Sequence, residues 1–214
     1  MRYPQAMSET TAPPVRRRKK GLLLEEAWFR EKYRCFAKEE AIEFHPGVNL
    51  LVGDQGCGKS SLLQLIRDLG AQDSFAREHA QEVLAVTCHS CPIEALNFEQ
   101  QNPRTVSAMP DSLNGVQWML KSAVASHGET VNALLNTLGK KKRKTLVLLD
   151  EPDMALSPRS AYALAGKLAE LAANGHQIIA AVHNPIVIQA QKEVLSLEQR
   201  AWITPEDFLA NQVS

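Results

Sequence analysis

The chain predicts an α/β domain: a mainly parallel sheet flanked by helices. Two runs, TLVLLD (145–150) and QIIAAV (177–182), are apolar at nearly every position. Strands of that kind are buried on both faces, as at the centre of a parallel sheet. They alternate with stretches in which apolar residues recur every three or four positions, the pattern of helices that pack on such a sheet. The 214 residues are 44% apolar and 22% charged, ordinary for one globular domain with a proper core.

Taken in order, residues 1–20 carry Pro4, Pro13, Pro14 and the run Arg16-Arg17-Arg18-Lys19-Lys20 without apolar periodicity. They are expected to be a floppy basic tail, with one domain over 21–214. Cys35 is placed in an early strand. AIEF (41–44) and VNLLV (48–52) are strands separated by the turn His45-Pro46-Gly47. In 60–70, Leu62, Leu63, Ile66 and Leu69 follow helical spacing up to Gly70. EVLAVTC (82–88) is strand-like. Helices are expected over 112–125 and over 129–139, the second with Val131, Leu134, Leu135 and Leu138 on one side. After the strand at 145–150, a long helix spans 158–175 and stops at Asn174-Gly175. Strands follow at 177–182 and 193–197. Thr204 caps a short last helix with Pro205 at its first position.

Basic and acidic residues balance at 24 each, so net charge selects no partner. The basic residues are clustered, however, at 16–20 and in Lys140-Lys141-Lys142-Arg143-Lys144. Such runs either form solvated surface or contact a nucleic acid, an anionic lipid or a protein partner. No apolar run approaches the roughly 20 residues of a membrane span. The N-terminus has no apolar signal core, so a cytoplasmic location is expected. Cys88 and Cys91 form one CxxC without a second ligand pair. Packed thiols at a strand end suit it better than zinc.

The chemistry begins at Gly53-Asp54-Gln55-Gly56-Cys57-Gly58-Lys59-Ser60, followed by Ser61, which fits G-x4-G-K-[ST] between a buried strand and a helix. Glycines let the backbone curl until its N–H groups face phosphate oxygens. The helix N-terminus adds partial positive charge. Lys59 is expected to reach the β- and γ-phosphates, and Ser60 to offer its hydroxyl to Mg²⁺. Asp150 and Glu151 close an apolar strand 91 residues after Lys59. Ligands of open α/β sheets sit at the carboxyl ends of strands. Asp150 can hold the magnesium shell, and Glu151 can polarise a water in line with the γ-phosphate. His183 ends the next apolar strand and can contact the same phosphate.

With these residues in place, the chain resembles the ATP-binding-cassette (ABC) ATPases, and within them the RecF-like and chromosome-maintenance branch. The likeness rests on YRCFAKEEAIEFHPGVNLLVGDQGCGKSSLL, with its Arg-x-Phe strand and F-x-P-G turn, on DEPDMALSP, and on His183, and covers about residues 22–200. It implies ATP and Mg²⁺ as ligands and a head-to-tail homodimer formed on nucleotide binding. It also implies a signature segment, best matched by Ser126-His127-Gly128-Glu129, in which Ser126, Gly128 and Glu129 close over the partner's ATP. A Q-loop glutamine follows from it too, Gln100 or Gln101, with Gln101 assigned to the metal. Gln55 and Cys57 depart from the commoner Asn and Ser or Ala. Tyr33, Phe36 and Phe44 are candidates to stack on adenine, though each suits a core position. The transporter signature Leu-Ser-Gly-Gly-Gln is absent, and 24 residues between Gln101 and Ser126 leave little room for a transporter's helical region. The other readings that stay open are a P-loop kinase for a small molecule, a nucleotide-gated interaction or DNA-associated module and, disfavoured by these two features, an ABC transporter subunit.

Overall fold

The computed structural model describes residues 23–97 and 127–212. The tail at 1–20, the helix expected over 112–125, Gln100, Gln101 and Ser126 lie outside the described residues. In chain order the elements are β1 (Leu24–Phe29), β2 (Ala41–Glu43), β3 (Val48–Val52), α1 (Lys59–Leu69), α2 (Ser74–Val83), β4 (Leu84–Cys88) and β5 (Ile93–Asn97). There follow α3 (His127–Gly139), β6 (Leu146–Asp150), α4 (Pro158–Ala173), β7 (Gln177–Ala181), α5 (Pro185–Gln189), β8 (Val194–Ser196), β9 (Ala201–Ile203) and α6 (Pro205–Asn211).

Six strands form the main sheet in the order β5-β6-β7-β3-β8-β9. All pairs are parallel except β8–β9. Successive side chains of a strand point to opposite faces, so each apolar run supplies two cores. Leu51, Leu148 and Ile179 pack on one face with Leu62 and Ile66 of α1 and with Phe29 and Phe44. Leu50, Val147, Leu149 and Ile178 pack on the other, against Val131, Leu135 and Leu138 of α3 and Leu164, Leu168 and Leu171 of α4. Burial on both sides is why these strands carry no alternation of polar residues.

A smaller antiparallel sheet, β2-β1-β4, covers the α1 side. Gln177, 1% exposed at the start of β7, ties the two sheets together. Its Oε1 accepts from the Leu23 and Leu24 N–H groups at 3.1 and 2.7 Å. Its Nε2 donates to the Leu24 and His45 carbonyls at 2.9 and 3.0 Å. Asn49 does the same for the turn before β3, accepting from His45 N–H at 2.7 Å and donating to the Ile178 carbonyl at 3.1 Å.

Two expectations are corrected. Cys35 is not in a strand: Tyr33 and Phe36 exchange backbone hydrogen bonds at 2.9 and 3.0 Å across a tight turn, with Arg34 at φ 54°. The preceding strand is β1, whose mixed polar pattern LEEAWF hid it. The strand expected over 82–88 starts only at Leu84. Residues 82 and 83 finish α2, a helix that Asp73 caps by accepting from the Phe75 N–H and that buries Ala80 and Val83. Among the described residues, no helix is long and apolar enough to cross a membrane.

Two outcomes follow from the buried polar groups. Gln177→Leu leaves buried N–H and carbonyl groups unpaired, and urea unfolding is expected to show a loss of about 3 kcal/mol. His176 is 2% exposed; burial, aided by the Lys141 ammonium, pushes its imidazole below the ordinary histidine value. The folded state therefore binds fewer protons than the unfolded one once pH drops below about 6.5. This contribution leaves stability intact above that pH and erodes it on acidification. Urea titrations at pH 7, 6 and 5 are expected to show a decline that His176→Phe flattens.

Candidate functional site

The site grows from the turn between β3 and α1. Gly53, Gly56 and Gly58 hold φ of 137°, 88° and 105°, a region that side chains other than glycine's enter at a cost. Four helices, α2, α4, α5 and α6, open on a side-chain cap from Asp73, Ser157, Asn184 and Thr204. Helix α1 opens instead on Gly58, which has no side chain to accept from its first-turn amides. Those amides have no carbonyl one turn back within the helix, so any acceptor for them comes from outside it. The Gly58 carbonyl takes the first intrahelical bond, from Leu62 N–H at 2.9 Å.

Lys59 is 6% exposed and folds back into the loop. Its Nζ donates to the Gly53 and Asp54 carbonyls at 2.6 and 3.0 Å and lies 3.7 Å from the Cys57 Sγ. The next residue reaches the neighbouring strand end: Ser60 Oγ donates to Asp150 Oδ1 at 2.9 Å. Hydroxyl and carboxylate oxygens are the hard donors a magnesium ion takes from a protein, the rest of its shell coming from phosphate and water. The pair therefore fits Mg²⁺.

Glu151 stands at φ 52° and anchors its N–H on the Ala181 carbonyl at 3.1 Å. Its Oε1 is 3.5 Å from His183 Nε2. A cleft of about 520 Å³ is lined by Asp54, Gln55, Glu151, His183 and, from α6 and its end, Phe208 and Gln212. Backbone amides, an ammonium, a hydroxyl–carboxylate pair and a carboxylate–imidazole pair thus meet at the carboxyl ends of β3, β6 and β7.

Several supports come from residues the motif reading did not single out. A Cβ on Gly58 would lie 2.4 Å from Cys35 Sγ and 2.7 Å from the Phe36 ring, so the Tyr33–Phe36 turn seats the loop directly. Cys35 Sγ donates to the Cys57 carbonyl at 3.1 Å, and Arg34 Nη1 to Ser61 Oγ at 2.8 Å. Ser61 is buried, its hydroxyl engaged by that arginine. Glu198 accepts from the Asp54 N–H at 2.8 Å. Arg34 and Phe36, as the ends of Arg-x-Phe, left a trace in the sequence, but not of these contacts. The others are joined to the loop by long-range contacts.

Phe36 and Phe44 are wholly buried, Phe36 stacked on Phe29 at 4.3 Å, which fits the core role rather than adenine stacking. Gly128 and Glu129 fall in the first turn of α3. Cys88 and Cys91 flank the crossing from β4 to β5, and burial pushes both thiols above the ordinary value. All four cysteines are free thiols, and no cluster of three metal-ligating side chains occurs among the described residues.

Comparison with known proteins agrees with this geometry at the level of fold. A family model described as an AAA domain matches residues 31–69, which hold the turn, β3, the loop and α1. The ABC-type transporter adrC of Penicillium roqueforti is 28% identical over an alignment of 182 positions that takes in 67% of this chain. The match spans 12% of that protein's length. Among solved structures, MJ1267, an ATP-binding cassette of an ABC transporter, superposes with a TM-score of 0.55 at 15% identity, covering 89% of this chain and 94% of its own. For cbiO1 of Clostridium perfringens, part of the ABC transporter complex cbiONQ, the values are 0.53, 16%, 89% and 92%. For the SMC head domain of Thermotoga maritima they are 0.51, 15%, 82% and 94%. The chain has the P-loop architecture of ABC-type ATPase heads. Transporter cassettes and an SMC head both match, so the fold does not separate those branches.

Gly58→Ala puts a methyl group into the Cys35 and Phe36 contacts and a side chain at φ 105°. Urea unfolding is expected to show a loss of about 2–4 kcal/mol.

Proposed function

We propose that this chain binds ATP with magnesium and hydrolyses it to ADP and phosphate, as an ABC-type ATPase head. The observation that carries the reading is the convergence of Lys59, the Ser60–Asp150 pair and the Glu151–His183 pair at the ends of three adjacent strands.

In this reading the amides from Gly53 to Ser61 wrap the phosphates, and Lys59 exchanges its carbonyl partners for β- and γ-phosphate oxygens. Ser60 and Asp150 hold the magnesium ion, with Gln101 assigned to the same ion. When bound, magnesium neutralises charge on the phosphates. Glu151 accepts a proton from the attacking water, and His183, within reach of the same carboxylate, steadies the terminal phosphate. Ser126, Gly128 and Glu129 of a second copy would complete each site, so ATP would join two heads and hydrolysis release them. The basic runs at 16–20 and 140–144 are the segments through which such a head would meet a nucleic acid or protein partner.

Wild-type protein with ATP, magnesium and water alone is expected to release phosphate, measured by a coupled assay. Glu151→Gln is expected to slow release by about 100-fold or more and to elute as an ATP-dependent dimer in size exclusion. Turnover at the wild-type rate by this variant removes Glu151 as the base. Phosphate transfer only when a small-molecule acceptor is added would make the protein a kinase instead.

A further inference from the structure

His183 is a poorly packed residue with a fixed backbone. Its ring is 49% exposed, and its neighbour Glu151 stands 3.5 Å away, too far for a firm hydrogen bond. The sheet does not hold it either. The last ladder bond of its strand is Val182 N–H to the Leu51 carbonyl, one residue earlier. What holds it is Asp153, two residues beyond Glu151. One carboxylate oxygen, Oδ2, accepts from the His183 N–H at 2.7 Å and from the Asn184 N–H at 2.5 Å.

Asp153 is 4% exposed, and its Oδ1 has no hydrogen-bond partner among the described residues. Burying a carboxylate is costly unless its bonds return the energy. Here the Oδ2 bonds go to two successive amides of one junction. That junction is the step from β7 into α5, which Asn184 opens by accepting from the Ile186 N–H at 2.9 Å. The turn carrying Asp153 is set in its own right. Glu151 and Ala155 stand at positive φ, and Met154 N–H closes the turn on the Glu151 carbonyl at 3.3 Å. Glu151 and His183 therefore belong to one ring. Their side chains face each other, and the Asp153 carboxylate joins the backbone of one to the turn of the other.

We infer that Asp153 is the positioning residue for His183: it sets where the imidazole stands relative to Glu151 without touching nucleotide. For its kinetic test this rests on the ATPase reading above. Asp153→Ala removes the acceptor of both bonds and is expected to lower kcat by about 30-fold, with the KM for ATP within about twofold of wild type. Asp153→Asn keeps a carbonyl oxygen for the two amides and is expected to lose about threefold only. The double variant Asp153→Ala/His183→Ala is expected to be no slower than His183→Ala alone, because the two residues act as one.

A double variant slowed by the product of the single losses overturns the inference, as does a KM that rises while kcat holds. Should Asp153→Ala not fold, judged by its thermal melt, the same cycle with Asp153→Asn decides. A second measurement needs no turnover. The nuclear Overhauser contact between the His183 ring and the Glu151 side chain is expected to vanish in Asp153→Ala and to survive in Asp153→Asn. Its persistence in Asp153→Ala overturns the positioning role. Absence of phosphate release by the wild type sinks the ATPase reading and leaves this contact to decide the inference.

Discussion

The site depends on register in the parallel sheet. Asp150 pairs with Ala181, Ala181 with Leu51, and Leu51 with Leu195, so one row of hydrogen-bonded residues crosses β6, β7, β3 and β8. The residues just beyond that row are the start of the phosphate loop, Glu151 and the approach to His183. A slip of one residue would shift a strand end by about 3.3 Å and turn each side chain to the opposite face. Asp150 would then lose Ser60. The apolar pattern alone does not forbid such a slip, because both faces of β6 and β7 are core.

Polar groups buried at the two ends of these strands do what apolar contacts cannot, which is to choose among similar packings. Gln177 and Asn49 fasten the amino ends, drawing the small antiparallel sheet and the turn before β3 onto the main sheet. Asp153 fastens the carboxyl end between the turn after β6 and the start of α5. The hydrogen bonds of each go to backbone groups. In a low-dielectric interior such bonds are strong when made and costly when missing, so they define position sharply. The loop is seated likewise from outside its own sequence, by Cys35, Phe36 and Glu198.

Much of the fold is legible in the sequence, and what is not has physical reasons. TLVLLD and QIIAAV could only be buried strands, and the helical period of 60–70 gave α1. β1 was overlooked because LEEAWF lies in a sheet with one solvated side and carries two glutamates. Cys35 reads as a strand residue because a two-residue turn and a short strand look alike in composition. The motif residues Lys59, Ser60, Asp150, Glu151 and His183 were found by type and spacing, and they meet in space. Asp153 escaped although it lies in the same motif, since nothing local marks an aspartate whose partners are 30 and 31 residues away.

By itself, then, the sequence determined what is local: which segments must be buried, where the backbone must turn at positive φ, and which reactive side chains stand at strand ends. These follow from periodicity, the conformational range of glycine and the ordinary chemistry of Lys, Ser, Asp, Glu and His. Tertiary structure alone decided that β3 lies between β7 and β8, that Arg34 serves Ser61 and Glu198 serves Asp54 across 144 residues, and that Asp153 holds the His183 backbone. Hydrogen bonds between distant residues depend on where the chain returns, and that is settled by the packing of the whole.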